Sequence, residues 1–322
     1  MLHKETKVMN NILYFNEADH IYTNEVGLQY TSMTTVIGKY EHPFDTKAKA
    51  QACYNKYYRR VGHRYYNMTV PMILDNWGIL NADSLDRGND RHNFLEDLVK
   101  ESSGYNRTGK RLFINDRIYT IEDILQHHQY GIVSIDYFIK KGLHERYPDI
   151  FAILKWHHDN GYRIYSEIGV FNNELMVSGL IDILLVKGNS FRILDWKTNK
   201  AKLHFDSGYY KRDSDGKNTT LWVPNDDRFK APLAHIPESH GNTYTLQLSG
   251  YAWLIEQFGL KLDILILCHI RPEELDEFGN IHKGDENDIV DIVPIKYFKD
   301  DVALMFRHHF NRYAKKQTTL NI

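Results

Sequence analysis

Three residues carry more chemistry than their surroundings explain: Asp182, Asp195 and Lys197. Asp182 stands alone in GLIDILLV, a run otherwise wholly apolar. An ionised carboxylate in a buried strand is costly unless it is paired or bound to a cation. Asp195 and Lys197 follow in FRILDWKTNK. Alternate residues of a strand share a face, so the acid and the amine project together and Trp196 projects the other way. Gly188-Asn189, between the two segments, is a two-residue hairpin signal. Pairing about that turn sets Asp182 opposite Asp195, where facing Cβ atoms stand about 4.5–5.5 Å apart. Two carboxylates that close repel unless a cation lies between them. Oxygen donors of this kind match magnesium or manganese rather than zinc. Lys197 is then either an ion-pair partner or a water-activating group beside the metal.

Three further groups could join. Glu167, in YSEIGVF, lies on the preceding strand and is either a fourth member or a surface acid. Gly88, His92 and Glu96 are spaced to share one helix face. A mid-helix glycine costs about 0.5–1 kcal/mol relative to alanine, tolerable if something must approach the backbone there. His92 could ligate metal, and Glu96 could orient a basic neighbour. Gln247 and Tyr251 share a helix face too, as partners of the site or as a satisfied helix–helix contact.

The elements that must position these residues are legible in the pattern. Residues 12–23 read as a hairpin turning through Asn16–Asp19, and Thr34–Ile37 is a short β-branched run. Asp45 is a candidate cap for a helix over 46–66. A second helix is expected over 84–100 with Ser84 as its cap and Leu95, Leu98 and Val99 on its core face. Residues 102–118 read as loop with a hairpin around Asn115-Asp116, and 147–158 as a helix after Pro148. YRIYSEIGVF, LMVSGLIDILLVK and SFRILDWKT are three antiparallel strands. The polar stretch 205–243 reads as an insertion loop. A helix over 244–258, a buried strand over 261–270 and a helix over 299–316 complete the chain. The last has Asp300 and Asp301 at its start and Lys315 and Lys316 at its end, the order the helix dipole favours. This order predicts one α/β domain over 1–322. Residues 1–83 contribute the hairpin and a basic helical segment, and 84–322 the core with the 205–243 insertion.

Composition narrows the class. The 322 residues are 42% apolar, enough for a sizeable core. No apolar run reaches about 18 residues, so no membrane span is expected. MLHKETKVMNN lacks an apolar signal core, so export is not expected either. Cys53 and Cys268 are too few for a disulfide framework or an iron–sulfur cluster, and a cytoplasmic setting is the expectation. Net charge is -2, but one local field is basic. Residues 39–64 hold Lys39, Lys47, Lys49, Lys56, Arg59, Arg60 and Arg64 against Glu41 and Asp45, with Tyr40, Phe44, Tyr54, Tyr57 and Tyr58 interleaved. Such a segment is a solvated helix with a tyrosine-lined face, or phosphate contact beside stacking platforms. On a helix over 46–66, Lys49, Lys56 and Arg60 fall on roughly one side and form the candidate DNA-binding row.

GLIDILLV followed by ILDWKTNK resembles the PD-(D/E)XK nuclease superfamily, whose pattern is an acid, a hairpin, then acid–x–lysine. GNDRHNFLE is similar to the histidine motif of the RecB-like branch, and QLSGY to that branch's glutamine–tyrosine motif. TSMTTVIGKYEHPF resembles the serine/threonine-rich opening of phage and bacterial RecB-like exonucleases. The resemblance implies a restriction-endonuclease-like core, a mixed central sheet flanked by helices. It implies that Asp182, Asp195 and the Trp196 carbonyl hold one or two Mg2+ or Mn2+ ions, with His92 also touching metal and Glu167 as an extra upstream acid. Lys197 would activate water, and Gln247 and Tyr251 would support the site or the DNA strand. Ile181 stands where the pattern nominally has proline, and Asp195 where many members have glutamate. Relatives' cluster-binding cysteines are missing, and no phosphate-binding loop is present, so neither an iron–sulfur cluster nor a helicase motor is expected. The implied activity is hydrolysis of DNA to 5′-phosphate products, by an exonuclease ahead of a structure-dependent endonuclease. The implied partners are DNA with a free end or a single strand, and a recombination or helicase protein. The rival readings are a non-catalytic nucleic-acid-binding module and a hydrolase of small phosphoesters.

Overall fold

A computed structural model gives the fold over residues 12–16, 19–102, 117–126, 133–281 and 287–314. A hairpin of β1 (Leu13–Asn16) and β2 (Ile21–Thr23) opens it, closed by Asn16 Nδ2 donating to Asp19 Oδ2 at 2.8 Å. Next, β3 (Gln29–Ser32) runs straight into α1 (Met33–Gly38), where Ser32 Oγ accepts from the Thr35 N–H. The cap thus turns the β-branched run at Thr34–Ile37 into a helix, which buries Met33, Val36 and Ile37. After α2 (Thr46–Tyr57) come the long α3 (Val70–Ser102), β4 (Arg117–Ile118) and α4 (Ile121–Gln126). Three helices follow: α5 (Ile135–Lys140), α6 (Leu143–Arg146) and α7 (Pro148–Asp159), the last started by its proline.

The three expected strands are β5 (Arg163–Asn172), β6 (Val177–Lys187) and β7 (Ser190–Lys197), all antiparallel neighbours. Gly188 takes φ +58° in the tight turn between β6 and β7, a conformation glycine adopts without strain. Beyond lie β8 (Gly208–Arg212), β9 (Asn218–Pro224), α8 (His240–Glu256), β10 (Lys261–Pro272), β11 (Asp288–Ile295) and α9 (Lys299–His309), which ends in a π-turn over Phe310–Ala314. The large sheet runs β11-β10-β7-β6-β3-β2-β1-β4, with β5 also on β6. It is mixed: β10 pairs β7 in parallel, as does β3 with β6. Helices cover both faces. Ile181, Leu184, Ile193, Leu265 and Leu267 pack with α1, α8 and α9. Ile183, Leu185, Leu194, Trp196 and Ile266 pack with Leu95, Leu98 and Val99 of α3 and with α5 to α7.

Several boundaries differ from expectation. The helix expected over 46–66 stops at Tyr57, and residues 58–67 fold back through turns with Gly62 at φ +85° and Asn67 at +55°. Ser84 caps nothing, because α3 begins at Val70 and Ser84 Oγ donates back to the Leu80 carbonyl inside it, 2.8 Å. The 205–243 stretch is not a bare loop: β8 and β9 pair as a separate hairpin within it. The expected hairpin at Asn115-Asp116 and the terminal Lys315 and Lys316 lie outside the described residues.

Candidate active site

The β6–β7 ladder runs from Lys187↔Ser190 to Ile183↔Leu194, the register that sets Asp182 across from Asp195. There it ends. The Trp196 N–H donates to Asp182 Oδ2 at 2.8 Å instead of continuing the strand pairing. Further back, β6 takes β3 as its neighbour at Val177 and Ser178. The sheet therefore forks at Asp182, and the side chain that opens the fork is the lone acid of the apolar run. The opposite edge of β6 is irregular at the same level. Glu167 lies between the pairs Ser166↔Ile183 and Ile168↔Ile181, in register with Asp182, and holds φ +53°. A non-glycine residue there costs of order 1–3 kcal/mol, and such strain gathers at functional sites. Side-chain alternation slips at this level in both strands. Tyr165 and then Ile168 face the α8 core on β5, and Ile181 and then Leu184 face it on β6. No periodicity in the sequence announces that slip; the acid inside an apolar run is its only trace.

Within the fork Asp195 is 1% exposed, and Lys197 Nζ lies 2.5 Å from its Oδ2. The Lys197 ammonium is the cation this buried oxygen meets, an ion pair largely closed off from solvent. Burial pushes the Asp195 carboxyl up to about 6, with the Asp182 charge acting the same way and Lys197 opposing. Burial works to lower the Lys197 pKa, but Asp195 and Asp182 outweigh it and hold the ammonium above its ordinary value. Both groups shift upward for one reason. The lysine faces two carboxylates, whereas Asp195 has one cation set against a second acid and its own desolvation.

Helices close the fork from two sides. On α3, His92 Nε2 is 4.0 Å from Asp182 Oδ2, and its Nδ1 is 3.3 Å from Glu96 Oε2. The glycine one turn earlier has its reason: a Cβ on Gly88 would lie 2.9 Å from Thr198 Oγ1, just past the catalytic candidate Lys197. On α8, Gln247 Nε2 donates to Tyr251 Oη at 2.9 Å. The Tyr251 ring packs on Gly179 of β6, where a Cβ would come within 2.2 Å of Cε1. That contact is helix on strand rather than helix on helix. Sequence reasoning missed Tyr244 and Asn199. The Lys197 ammonium sits 4.8 Å from the centre of the Tyr244 ring, whose hydroxyl donates to Asn199 Oδ1 at 2.7 Å. The seven-residue spacing of Tyr244 and Tyr251, with Gln247 between, was the available signal.

Asp182, Asp195, Lys197 and His92 thus meet at one level, with the Trp196 backbone among them and its indole buried in the α3 core. Lys49, Lys56 and Arg60 lie apart on an exposed arm, and Arg60 follows the end of α2 rather than sharing its face. Among the described residues, no three His, Cys, Asp or Glu side chains gather closely enough to hold a metal by themselves. The same residues contain no helix long and apolar enough to cross a membrane. The chain matches no protein-family model and no curated protein.

Proposed function

We propose that this chain is a Mg2+- or Mn2+-dependent deoxyribonuclease with a restriction-endonuclease-like core, a member of the PD-(D/E)XK superfamily in its RecB-like branch, acting as an exonuclease. One observation supports this above the others: two acids and a lysine converge at a fork in a mixed sheet, the buried Asp195 carboxylate set between the Lys197 ammonium and the Asp182 charge. The donor set fits a hard cation. Magnesium keeps several waters and is commonly held by one or two carboxylates plus substrate phosphate, so two acids and a carbonyl suffice. Asp182, Asp195 and the Trp196 carbonyl would hold it, with His92 and Glu167 at its margin. The ion would supply Lewis acidity at the phosphoryl group and make the attacking water more acidic.

The protein's own groups do the rest. Lys197 stays charged because two carboxylates face it. From there it orients the water and offsets negative charge growing on the phosphorane oxygens, in a site where low solvent access strengthens the effect. The Tyr244 ring beneath the ammonium and the Tyr244–Asn199 hydrogen bond hold the strand end that carries it. Gln247 and Tyr251 brace β6 from below. The 3′ oxygen leaves and the product keeps a 5′ phosphate.

The test is hydrolysis of linear DNA with Mg2+ or Mn2+ by wild type and by Asp182→Ala. Wild type should release 5′-phosphorylated products and the variant should release none. Undiminished hydrolysis by folded Asp182→Ala would end the proposal.

A further inference from the structure

The basic segment does not stop at the arm. Arg64 follows α2, Lys200 lies three residues past Lys197, and Arg212 ends β8. These segments are far apart in sequence and are locked together. The Arg64 N–H donates to the Asp215 carbonyl at 3.2 Å. Gly216 presses on His63, where a Cβ would lie 2.7 Å from Nε2. The Asn218 N–H donates to the Glu277 carbonyl at 2.8 Å, and the Arg64 guanidinium lies 4.8 Å from the centre of the Phe278 ring. The arm, the β8–β9 hairpin and the β10–β11 connection therefore meet one another, and Lys200 ties this joint to the strand end that carries Lys197.

Cations collect at this joint. Lys200 is within electrostatic range of both Arg64 and Arg212. Arg212, Arg64, Lys56 and Lys49 all act on Cys53, and Arg60, Arg64 and Arg212 all act on His63. The acids that face these groups are Asp276, beside both Lys200 and Arg64, and Asp215 beside His63. Glu277 is taken by Lys217 at 2.7 Å. Burial lowers the Lys200 pKa, and the two arginines push the same way against Asp276. The cations outnumber these acids, and they come from too many segments for one small ion.

We propose that Arg64, Lys200 and Arg212 bind the phosphodiester backbone of a nucleic-acid strand as it leaves Lys197, so that the arm–hairpin joint, rather than the face of α2, is the main strand contact. Its placement rests on the nuclease reading of the site. The occupant follows from the chemistry: a row of exposed and half-buried cations, reached through Lys200 from the reacting centre, with the Tyr57 and His63 rings stacked 3.7 Å apart behind it.

The experiment is fluorescence anisotropy with a labelled oligothymidylate in EDTA across a salt series, using wild type and the triple variant Arg64→Gln/Lys200→Gln/Arg212→Gln. The slope of log affinity against log salt should flatten by about 2, about 0.7 per lost phosphate contact. Affinity at low salt should fall more than about tenfold. The charge-preserving Arg64→Lys/Arg212→Lys variant should keep the wild-type slope, which separates charge from folding. A triple variant with wild-type slope and affinity would overturn the proposal. So would a loss confined to 5′-phosphorylated ends and absent on 5′-hydroxyl or circular strands, which would make the site a reader of termini. Binding is read without metal, so the two readings fail separately. Strong binding with no hydrolysis under Mg2+ or Mn2+ would remove the nuclease and keep the strand site. Hydrolysis by wild type with an unaltered triple-variant slope would do the reverse.

Discussion

Removing the Asp182 carboxylate deletes the acceptor of the Trp196 N–H and, on the proposed reading, a metal donor as well. The lost hydrogen bond destabilises while relief from Asp195 stabilises, so Asp182→Ala should change metal-free stability by no more than about 1 kcal/mol. Calorimetric titration should show divalent-metal binding lost; unchanged affinity would clear Asp182 as a ligand. Lys197→Ala should behave differently. Metal should bind as well or better once the nearby cation is gone, yet single-turnover hydrolysis should fall by orders of magnitude if the lysine acts mainly in the transition state. A near wild-type rate would remove Lys197 from the chemistry. Asp195 adds a pH signature. Its folded pKa of about 6 lies above the ordinary 3.8, so the fold favours the protonated acid. That contribution is complete below pH 4 and is lost as pH rises through 6. In metal-free protein the stability of Asp195→Asn relative to wild type should therefore climb across pH 4–6 and level off above it, by about 3 kcal/mol in all. Thermal melts against pH, in EDTA, measure it; a flat difference would mean the carboxylate is not held at that cost.

The elements that carry the site are unequally written in the sequence. The β6–β7 register was legible from two residues, Gly188 and Asn189, because a two-residue turn leaves one pairing that keeps both apolar faces inward. The convergence of Asp182, Asp195 and Lys197 followed from that register alone. The fork was not legible, since it depends on a side chain replacing a strand hydrogen bond and on Glu167 at positive φ. The start of α3 was missed because a serine inside a helix looks like a serine before one. The end of α2 was missed because only tertiary contacts turn residues 58–67 back on themselves. The helix–strand seam supplies a test at this scale. Gly179→Ala drives a methyl into the Tyr251 ring, and the buried ring has a rigid helix behind it. Overpacking of this kind typically costs about 1–3 kcal/mol, so urea denaturation should show a loss in that range. A neutral Gly179→Ala would mean that α8 can slide, and that Tyr251 does not fix β6.

For the whole molecule, the question is whether the joint of arm, hairpin and β10–β11 connection controls which substrates reach the fork. If that joint bridges the path, a strand enters by its end, and linear single-stranded DNA should be degraded while circular DNA survives. Gel analysis of both with Mg2+ checks this; cutting of the circle would replace the exonuclease with an endonuclease. The parallel pairing of β7 with β10 has another consequence, one of timing. Leu267, Cys268 and His269 stand beside Asp195, Trp196 and Lys197, yet a parallel neighbour cannot arrive until the crossover through α8 has been made. A growing chain that has emerged only as far as β9 carries every acid of the site but lacks the strand that fixes one side of it. Contacts of such sequence separation form slowly. The candidate site is therefore closed only after β10 has been made, and a chain that has emerged only as far as β9 should hold Asp195 and Lys197 on an unpaired strand edge.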